Sequence, residues 1–281
     1  MSEKPASEKY AEWINRDVGA TETFDRDRHI RFDATFDREH DRSSRHIAPM
    51  SHLIHFQSDV PLSKLGPDGH AEHGGFLPPI PLPRRMWAGS RIDFHRPIEF
   101  GSEVTRRSRI TSITEKTGKS GLLVFVTTEH EFLVEGAVHM RDEQSLVFRE
   151  EATGSAAPPP GETRKAAHSE TVTPTPVLLF RYSAVTFNSH RIHYDHPYTT
   201  KVEGYPGLVV HGPLQATFLA NYAVERMPDR QLASLTFRAQ RPLFDLAPFT
   251  VNAAESEGDN LNLWTADAEG FTCMSATATF Q

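Results

Sequence analysis

Short alternating runs of apolar and polar residues recur along this chain, and they predict half-buried β-strands. Residues 101–110 (Gly-Ser-Glu-Val-Thr-Arg-Arg-Ser-Arg-Ile) lead this group. Residues 90–98, 121–128, 234–243, 248–254, 261–266 and 274–280 share its β-branched and aromatic bias. The apolar run 177–184 (Val-Leu-Leu-Phe-Arg-Tyr-Ser-Ala) reads as a further strand. One segment has a different period. Leu214-Gln-Ala-Thr-Phe-Leu-Ala-Asn-Tyr-Ala223, opened by Gly212 and Pro213, predicts a helix near 213–226. Residues 8–15, with Trp13 and Ile14, suit a short helix, whereas the strongly charged interval 29–45 predicts no element. Prolines at 78, 79, 81 and 83 remove donors and fix φ, so residues 74–83 form an extended loop, placed to flank a ligand. One long helix against a curved antiparallel sheet is an α+β arrangement.

The pattern falls into two halves. Residues 150–161 (Glu-Glu-Ala-Thr-Gly-Ser-Ala-Ala-Pro-Pro-Pro-Gly) have little to bury, and Pro174 and Pro176 close the stretch. That composition predicts a semi-extended linker over 151–175, between an N-terminal unit (1–150) and a C-terminal unit (176–281). The two units echo each other. In both, an aromatic strand ends in Arg-Pro and an aliphatic residue (Arg96-Pro97-Ile98, Arg241-Pro242-Leu243), followed by a short turn and more strands. Matched order of elements points to duplication.

Composition narrows the function. The chain has 281 residues, 38% hydrophobic and 24% charged, within the range of a globular enzyme. A net charge of −7 gives no global attraction for nucleic acid or an anionic membrane. An anionic ligand would need local arginines, and Arg106, Arg107 and Arg109 are dense in the sequence. A single cysteine, Cys273, excludes an internal disulfide and a thiolate metal cage, and in a strand without a base it reads as inert. No long apolar run predicts a membrane span, and residues 1–9 do not resemble a signal peptide; the expectation is a cytoplasmic protein.

The chemistry concentrates in Thr186-Phe-Asn-Ser-His-Arg-Ile-His-Tyr-Asp195 and in His211-Gly212-Pro213. A histidine able to move protons, near a helix start able to hold an oxyanion, suits chemistry on a thioester carbonyl. A metal at His190, His193, Asp195 and His196 is the weaker reading, because His-x2-His beside a carboxylate arises by chance in a chain with 15 histidines. No metal is therefore assigned. Trp87 and Phe76 read as core residues, and His211 as a residue ordering the loop before the helix or touching substrate.

Residues 182–198 with Gly207-Leu-Val-Val-His-Gly-Pro-Leu214 resemble the hydratase motif of MaoC-like, R-specific enoyl-thioester hydratases. Leu65-Gly-Pro-Asp-Gly-His70 and residues 75–89 are similar to the branch of mesaconyl-C4-CoA and itaconyl-CoA hydratases. The resemblance implies a tandem (double) hotdog, each a long helix wrapped by a curved antiparallel β-sheet, with the active motif in the C-terminal unit and a degenerate N-terminal one. It implies an acyl-CoA substrate, no separate cofactor, and a homodimer of double-hotdog chains. Matched residue by residue, His193 falls on the family's histidine and Asn188 on its aspartate, while His190-Arg191 replaces the usual Asn-Pro.

On this reading His193 is base and acid for syn addition of water, Asn188 orients the water without titrating, and the Gly212 N–H holds the enolate oxygen. His211, Arg191, Tyr182, Arg84 and Arg85 are candidate substrate-binding residues. An arginine among Arg84, Arg85, Arg181 and Arg191 would hold the free carboxylate of a C5 dicarboxylic acyl group. The expected activity is reversible hydration of an enoyl-CoA, most specifically mesaconyl-C4-CoA or itaconyl-CoA. Three alternatives stay open: a general hydroxyacyl-thioester dehydratase, a hotdog thioesterase, and a non-catalytic acyl-CoA binder.

Overall fold

The structure, a computed structural model, describes residues 5–71, 74–118, 121–150 and 160–281. Alternation along the chain is realised as one antiparallel sheet of ten strands. The N-terminal half contributes β1 (Asp17–Thr23), β2 (Arg84–Phe94), β3 (Glu103–Gly118), β4 (Gly121–Val134) and β5 (Ala137–Arg149). The C-terminal half contributes β6 (His168–Val172), β7 (Leu232–Ala239), β8 (Phe249–Ala253), β9 (Asn260–Ala266) and β10 (Thr272–Phe280). Their spatial order is β1-β3-β4-β5-β2-β7-β10-β9-β8-β6, so the halves mirror each other about a seam. At that seam β2 pairs with β7, from Gly89 opposite Arg238 to Asp93 opposite Ser234.

The duplication extends to individual hydrogen bonds. The His95 and Arg96 N–H groups both donate to the His139 carbonyl, and the Gln240 and Arg241 N–H groups both donate to the Cys273 carbonyl. Ile47 N–H donates to Ile98 as Val210 N–H donates to Leu243; Phe100 N–H donates to Arg45 as Asp245 N–H donates to Leu208. Position 47 therefore corresponds to 210. By the same register Ala48-Pro49-Met50 stands where the other half has His211-Gly212-Pro213.

The helices show what the halves do not share. The C-terminal half has α5 (Gly212–Arg226), fifteen residues long and packed on β7 to β10. Ala216, Ala220 and Ala223 are buried beside Leu214 and Leu219, small residues letting the axis lie close to the sheet. At the corresponding place the N-terminal half has only a single 3₁₀ turn, Ser51–Ile54, so the long helix expected there is replaced by a turn and a loop. That loop runs on to β2 and reaches across to the motif of the other half.

Three readings need correction. Residues 177–184 are not a strand but part of α3 (Pro176–Val185), whose start is set by Thr175 Oγ1 accepting the Leu178 N–H at 3.1 Å and by Pro176 in the first turn. Leu179, Tyr182 and Ser183 are buried, while Val177 and Phe180 are exposed on the other side; apolar residues on both faces mask the helical period. The charged interval contains α2, which with its start spans Arg26–Thr35: Asp25 caps it, and His29, Phe32 and Thr35 form its buried stripe. The linker also ends earlier than 175. Residues 151–159 lie outside the described residues, but His168–Val172 forms the polar edge strand β6, paired with β8. An exposed edge needs no apolar pattern, and the segment offered none.

The main core runs through both halves, from Phe24 and Phe32 to Phe237, Phe249 and Phe280, with Trp87 packed against it. A second cluster gathers Ile80 and Leu82 of the proline-rich loop with Tyr10, Ile110, Ile113, Val124, Val126 and Phe148, and Phe76 packs against it. Phe76 and Trp87 are thus core residues. The two remaining helices are α1 (Ala6–Lys9) and α4 (His196–Lys201), and among the described residues no helix is long and apolar enough to cross a membrane.

Candidate active site

Helix α3 ends in a turn that aims the motif. The Asn188 N–H donates to Ser183 at 2.8 Å, and Phe187 takes a left-handed conformation (φ 51°) that commonly falls to glycine. A non-glycine residue there costs roughly 1–2 kcal/mol, a local strain held by the surrounding contacts. Asn188 Oδ1 accepts the His190 N–H at 3.0 Å, which orients the amide and leaves its NH₂ for the cavity.

A cavity of about 280 Å³ opens there, walled by Leu53, His70, Tyr182, Thr186, Asn188 and Pro213. A larger hollow is walled only by residues 12–16 and holds none of the motif residues. Pro213 belongs to the first turn of α5, so the cavity lies at the positive end of the long helix. No acceptor for the Gly212 N–H is found among the described residues, as expected for the first residue of a helix. A Cβ built on Gly212 would meet nothing nearer than Met274 Cε at 3.9 Å. The fold itself therefore does not require glycine at this position.

His193 sits in a single 3₁₀ turn, Arg191–His193, and is buried. Its Nδ1 lies 2.7 Å from the Val209 carbonyl, so Nδ1 carries the hydrogen and Nε2 the lone pair. Burial pushes its pKa down to about 4. The ring stacks on His211, with centroids 3.7 Å apart and planes at 19°. His211 is fully buried; its Nε2 is 2.8 Å from Ser183 Oγ, and burial holds the ring neutral. His211 is not among the residues lining the cavity; its ring packs on His193 at the start of α5. Tyr182 is also fully buried, but it contributes to the cavity wall, where burial raises its phenol above the ordinary range.

The arginines separate clearly. Arg191 is committed to structure: Nε and Nη2 donate to Asp195 Oδ2 at 3.0 and 2.7 Å, Nη1 donates to the Pro67 carbonyl at 2.9 Å, and the guanidinium lies over Tyr198. Arg84 donates to the Glu203 carbonyl and pairs with its carboxylate at 3.1 Å. Arg181 donates to the Ala34 carbonyl. Arg191 and Arg84 are thus held by carboxylates of the protein itself, and Arg181 is tied to α2. Arg106, Arg107 and Arg109 do not form one cluster, since Arg106 lies over the Phe56 ring and Arg109 pairs with Glu129 at 2.6 Å. Arg85 differs. It is largely buried, has no hydrogen bond or ion pair among the described residues, and burial lowers its pKa while the Asp68 carboxylate opposes the shift. An unpaired buried cation is costly, and an anionic ligand would relieve it.

Asp68 and His70 were not legible as site residues. The loop carrying them is tied to the motif by Arg191 N–H donating to the Asp68 carbonyl (2.8 Å) and Ser189 Oγ donating to the Gly69 carbonyl (2.6 Å). Gly69 has φ 90°, and a Cβ there would fall 1.9 Å from the Ser189 carbonyl oxygen, so only glycine permits this approach. Glycine between two polar residues was the available signal. One ligand atom each from Asp68, His70 and His190 lies within 4.8 Å of the others, which is a cation's spacing. Asp68 Oδ2 and His70 Nδ1 are already hydrogen-bonded to each other at 2.8 Å, however, and form an acid–imidazole pair. The Cys273 thiol is buried, with its pKa pushed up to about 12 by burial, in keeping with an inert cysteine.

The family model for hydroxyacyl-thioester dehydratase type 2 matches residues 50–245. Mesaconyl-C(4)-CoA hydratase of Chloroflexus aurantiacus is 46% identical over 233 residues, covering 82% of each chain. The mitochondrial hydroxyacyl-thioester dehydratase type 2 of Schizosaccharomyces pombe is 29% identical over 246 residues, covering 78% of this chain and 80% of that one. Among solved structures, a MaoC-like dehydratase from Phytophthora capsici matches with a TM-score of 0.72 at 12% identity, covering 95% of both chains. That likeness concerns the fold, and it agrees with the double hotdog described above.

Proposed function

This chain belongs to the hydroxyacyl-thioester dehydratase type 2 family, and we propose from that premise that it is a hydro-lyase for a branched C5 dicarboxylic enoyl-CoA. The substrate on this reading is mesaconyl-C4-CoA or itaconyl-CoA, and the product a citramalyl-type thioester. The observation that carries it is the cavity at the start of α5, lined by Asn188 and Pro213, in a motif whose His193 stacks on His211 immediately before that helix.

In the hydration direction His193 Nε2 takes a proton from water as the water oxygen bonds to Cβ. The low pKa of His193, about 4, keeps it in the base form at neutral pH. The Asn188 NH₂ donates to the water oxygen and aims it. The π electrons move to the thioester oxygen, which the Gly212 N–H and the end of α5 stabilise. Tyr182 shapes the apolar wall. Arg85 supports the dicarboxylic preference, because among the described residues it alone of the four arginines considered has no hydrogen bond or ion pair, and it is only partly exposed. The reaction requires no cofactor beyond the coenzyme A of the substrate, in a cytoplasmic enzyme.

The test is consumption of the conjugated enoyl-thioester with mesaconyl-C4-CoA and crotonyl-CoA in parallel, without added cofactor, followed by product mass. A gain of one water supports the hydratase; free CoA would assign a thioesterase instead. Homodimerisation belongs to the same proposal, and a solution mass near twice 31.6 kDa is its expected readout.

A further inference from the structure

Hydration moves two protons, one off water and one onto Cα, and the pair of Asn188 and His193 contains one group that can do so. Asn188 cannot take up a proton. His193 serving both carbons must carry one proton from the Cβ side to the Cα side of the substrate. The cavity wall that includes Asn188 also includes a histidine from outside the motif, His70.

His70 comes from the half that lacks the motif. Its Nδ1 is 2.8 Å from Asp68 Oδ2, and its backbone N–H donates to Asp68 Oδ1 at 3.0 Å, so one carboxylate fixes both ring and chain. Although burial opposes it, the hydrogen bond and charge of His70 hold the Asp68 carboxyl well below the usual carboxylate range. A carboxylate at Nδ1 sets the tautomer and stabilises the imidazolium when the other ring nitrogen is protonated. Among the described residues, the other titratable and charged groups facing the pair are His190, with its ring centroid 4.0 Å from that of His70, His193, Tyr198 and Arg85 of β2. Burial first, and then the neighbouring His70 and His193, keep His190 neutral. Gly69, between the two partners, is the position whose missing side chain lets this loop press on Ser189.

We propose that His70, oriented by Asp68, is a second catalytic proton carrier of this site, serving Cα while His193 serves the hydroxyl at Cβ. The inference rests on the hydratase reading above. In hydration, water gives its proton to His193 Nε2 as the C–O bond forms and the π electrons pass to the thioester oxygen. The enolate collapses, and the Cα–H bond forms with a proton from His70 Nε2. His193 then releases its proton to solvent and His70 regains one, so the sum is addition of one water. Dehydration runs the same transfers backwards. Asp68 acts through His70 and is a positioning residue.

Exchange at Cα isolates this step, because a saturated thioester without a hydroxyl can be enolised but not dehydrated. Butyryl-CoA and methylsuccinyl-CoA are incubated in D₂O, and deuterium incorporation is followed by mass. The wild type exchanges Cα–H, His193→Ala stays within about tenfold of it, and His70→Gln falls at least about a hundredfold. Asp68→Asn keeps a hydrogen-bonding side chain but removes the charge. Its basic limb of the hydration pH–rate profile moves to lower pH, a change that a merely structural role would not produce. Exchange by His70→Gln at the wild-type rate overturns the inference. So does equal loss in His193→Ala, an unmoved limb in Asp68→Asn, or abolition of exchange by EDTA. A wild type that neither hydrates enoyl-CoA nor exchanges Cα–H removes the hydratase reading itself; hydration with His70-independent exchange removes only this inference.

Discussion

Replacing Gly212 with alanine separates what the fold needs from what the chemistry needs. The residue opens α5 and is not among the positive-φ glycines, so alanine introduces no backbone strain. The added Cβ meets only Met274 Cε at 3.9 Å, an ordinary van der Waals contact. Alanine is favoured over glycine in a helix interior by about 1 kcal/mol, and the gain at the first position is smaller. Thermal stability is therefore unchanged or slightly raised. The cost falls on the ligand side, where the methyl group crowds the thioester oxygen sought by the Gly212 N–H. Loss of one oxyanion donor costs about 10²–10³-fold, or roughly 2.7–4 kcal/mol, and it falls on kcat rather than KM. The assay is enoyl-thioester absorbance at saturating and subsaturating substrate, paired with a thermal melt of the same sample. A variant with wild-type kcat would refute the oxyanion role. A variant whose Tm falls in step with its activity would refute the claim that the protein leaves room for this methyl.

Arg85→Ala raises KM for mesaconyl-C4-CoA about 10- to 100-fold, the scale of a charged hydrogen bond of about 1.5–3 kcal/mol, and leaves crotonyl-CoA within about threefold; equal effects on both substrates would discard Arg85 as the carboxylate's partner. Acid weakens the fold through buried histidines: burial lowers His29 to about 3 and His130 and His193 to about 4, from 6.5 when unfolded. Below 6.5 the unfolded chain binds more protons than the folded one, so stability is complete above that pH and is lost as pH falls from 6.5 through 4. Melting scans from pH 7.5 to 4.5 should show Tm declining through that window, and a flat Tm would contradict these burials. Gly69→Ala places a Cβ 1.9 Å from the Ser189 carbonyl oxygen and at a φ alanine resists, so the Asp68–His70 loop moves off the motif. Activity falls by at least about tenfold with little change in far-UV circular dichroism; full activity would show that the loop's position is immaterial.

The sheet was readable where one face is buried and the other solvated, as in residues 274–280, because alternation is then imposed by packing. It failed at His168–Val172, an edge strand without a buried face to imprint a pattern. Helix α5 was visible from its Gly-Pro start and apolar stripe, whereas α3 was not, since exposed Val177 and Phe180 fill in the polar face. The motif histidine and asparagine lie close in sequence and were found there. Asp68 and His70 lie more than a hundred residues away and meet the motif only because a loop replaces the N-terminal half's long helix. Arg191 shows the converse: its place inside the motif suggested a ligand, while its guanidinium is consumed by Asp195 and the Pro67 carbonyl.

The central claim is tested most directly by adding mesaconyl-C4-CoA to wild type and to His193→Ala, following loss of the enoyl-thioester band and weighing the product. The account predicts rapid addition of one water by the wild type, slower turnover of crotonyl-CoA, and a fall of at least about a hundredfold in the variant. Release of free CoA, or a His193→Ala protein as active as wild type, would contradict it.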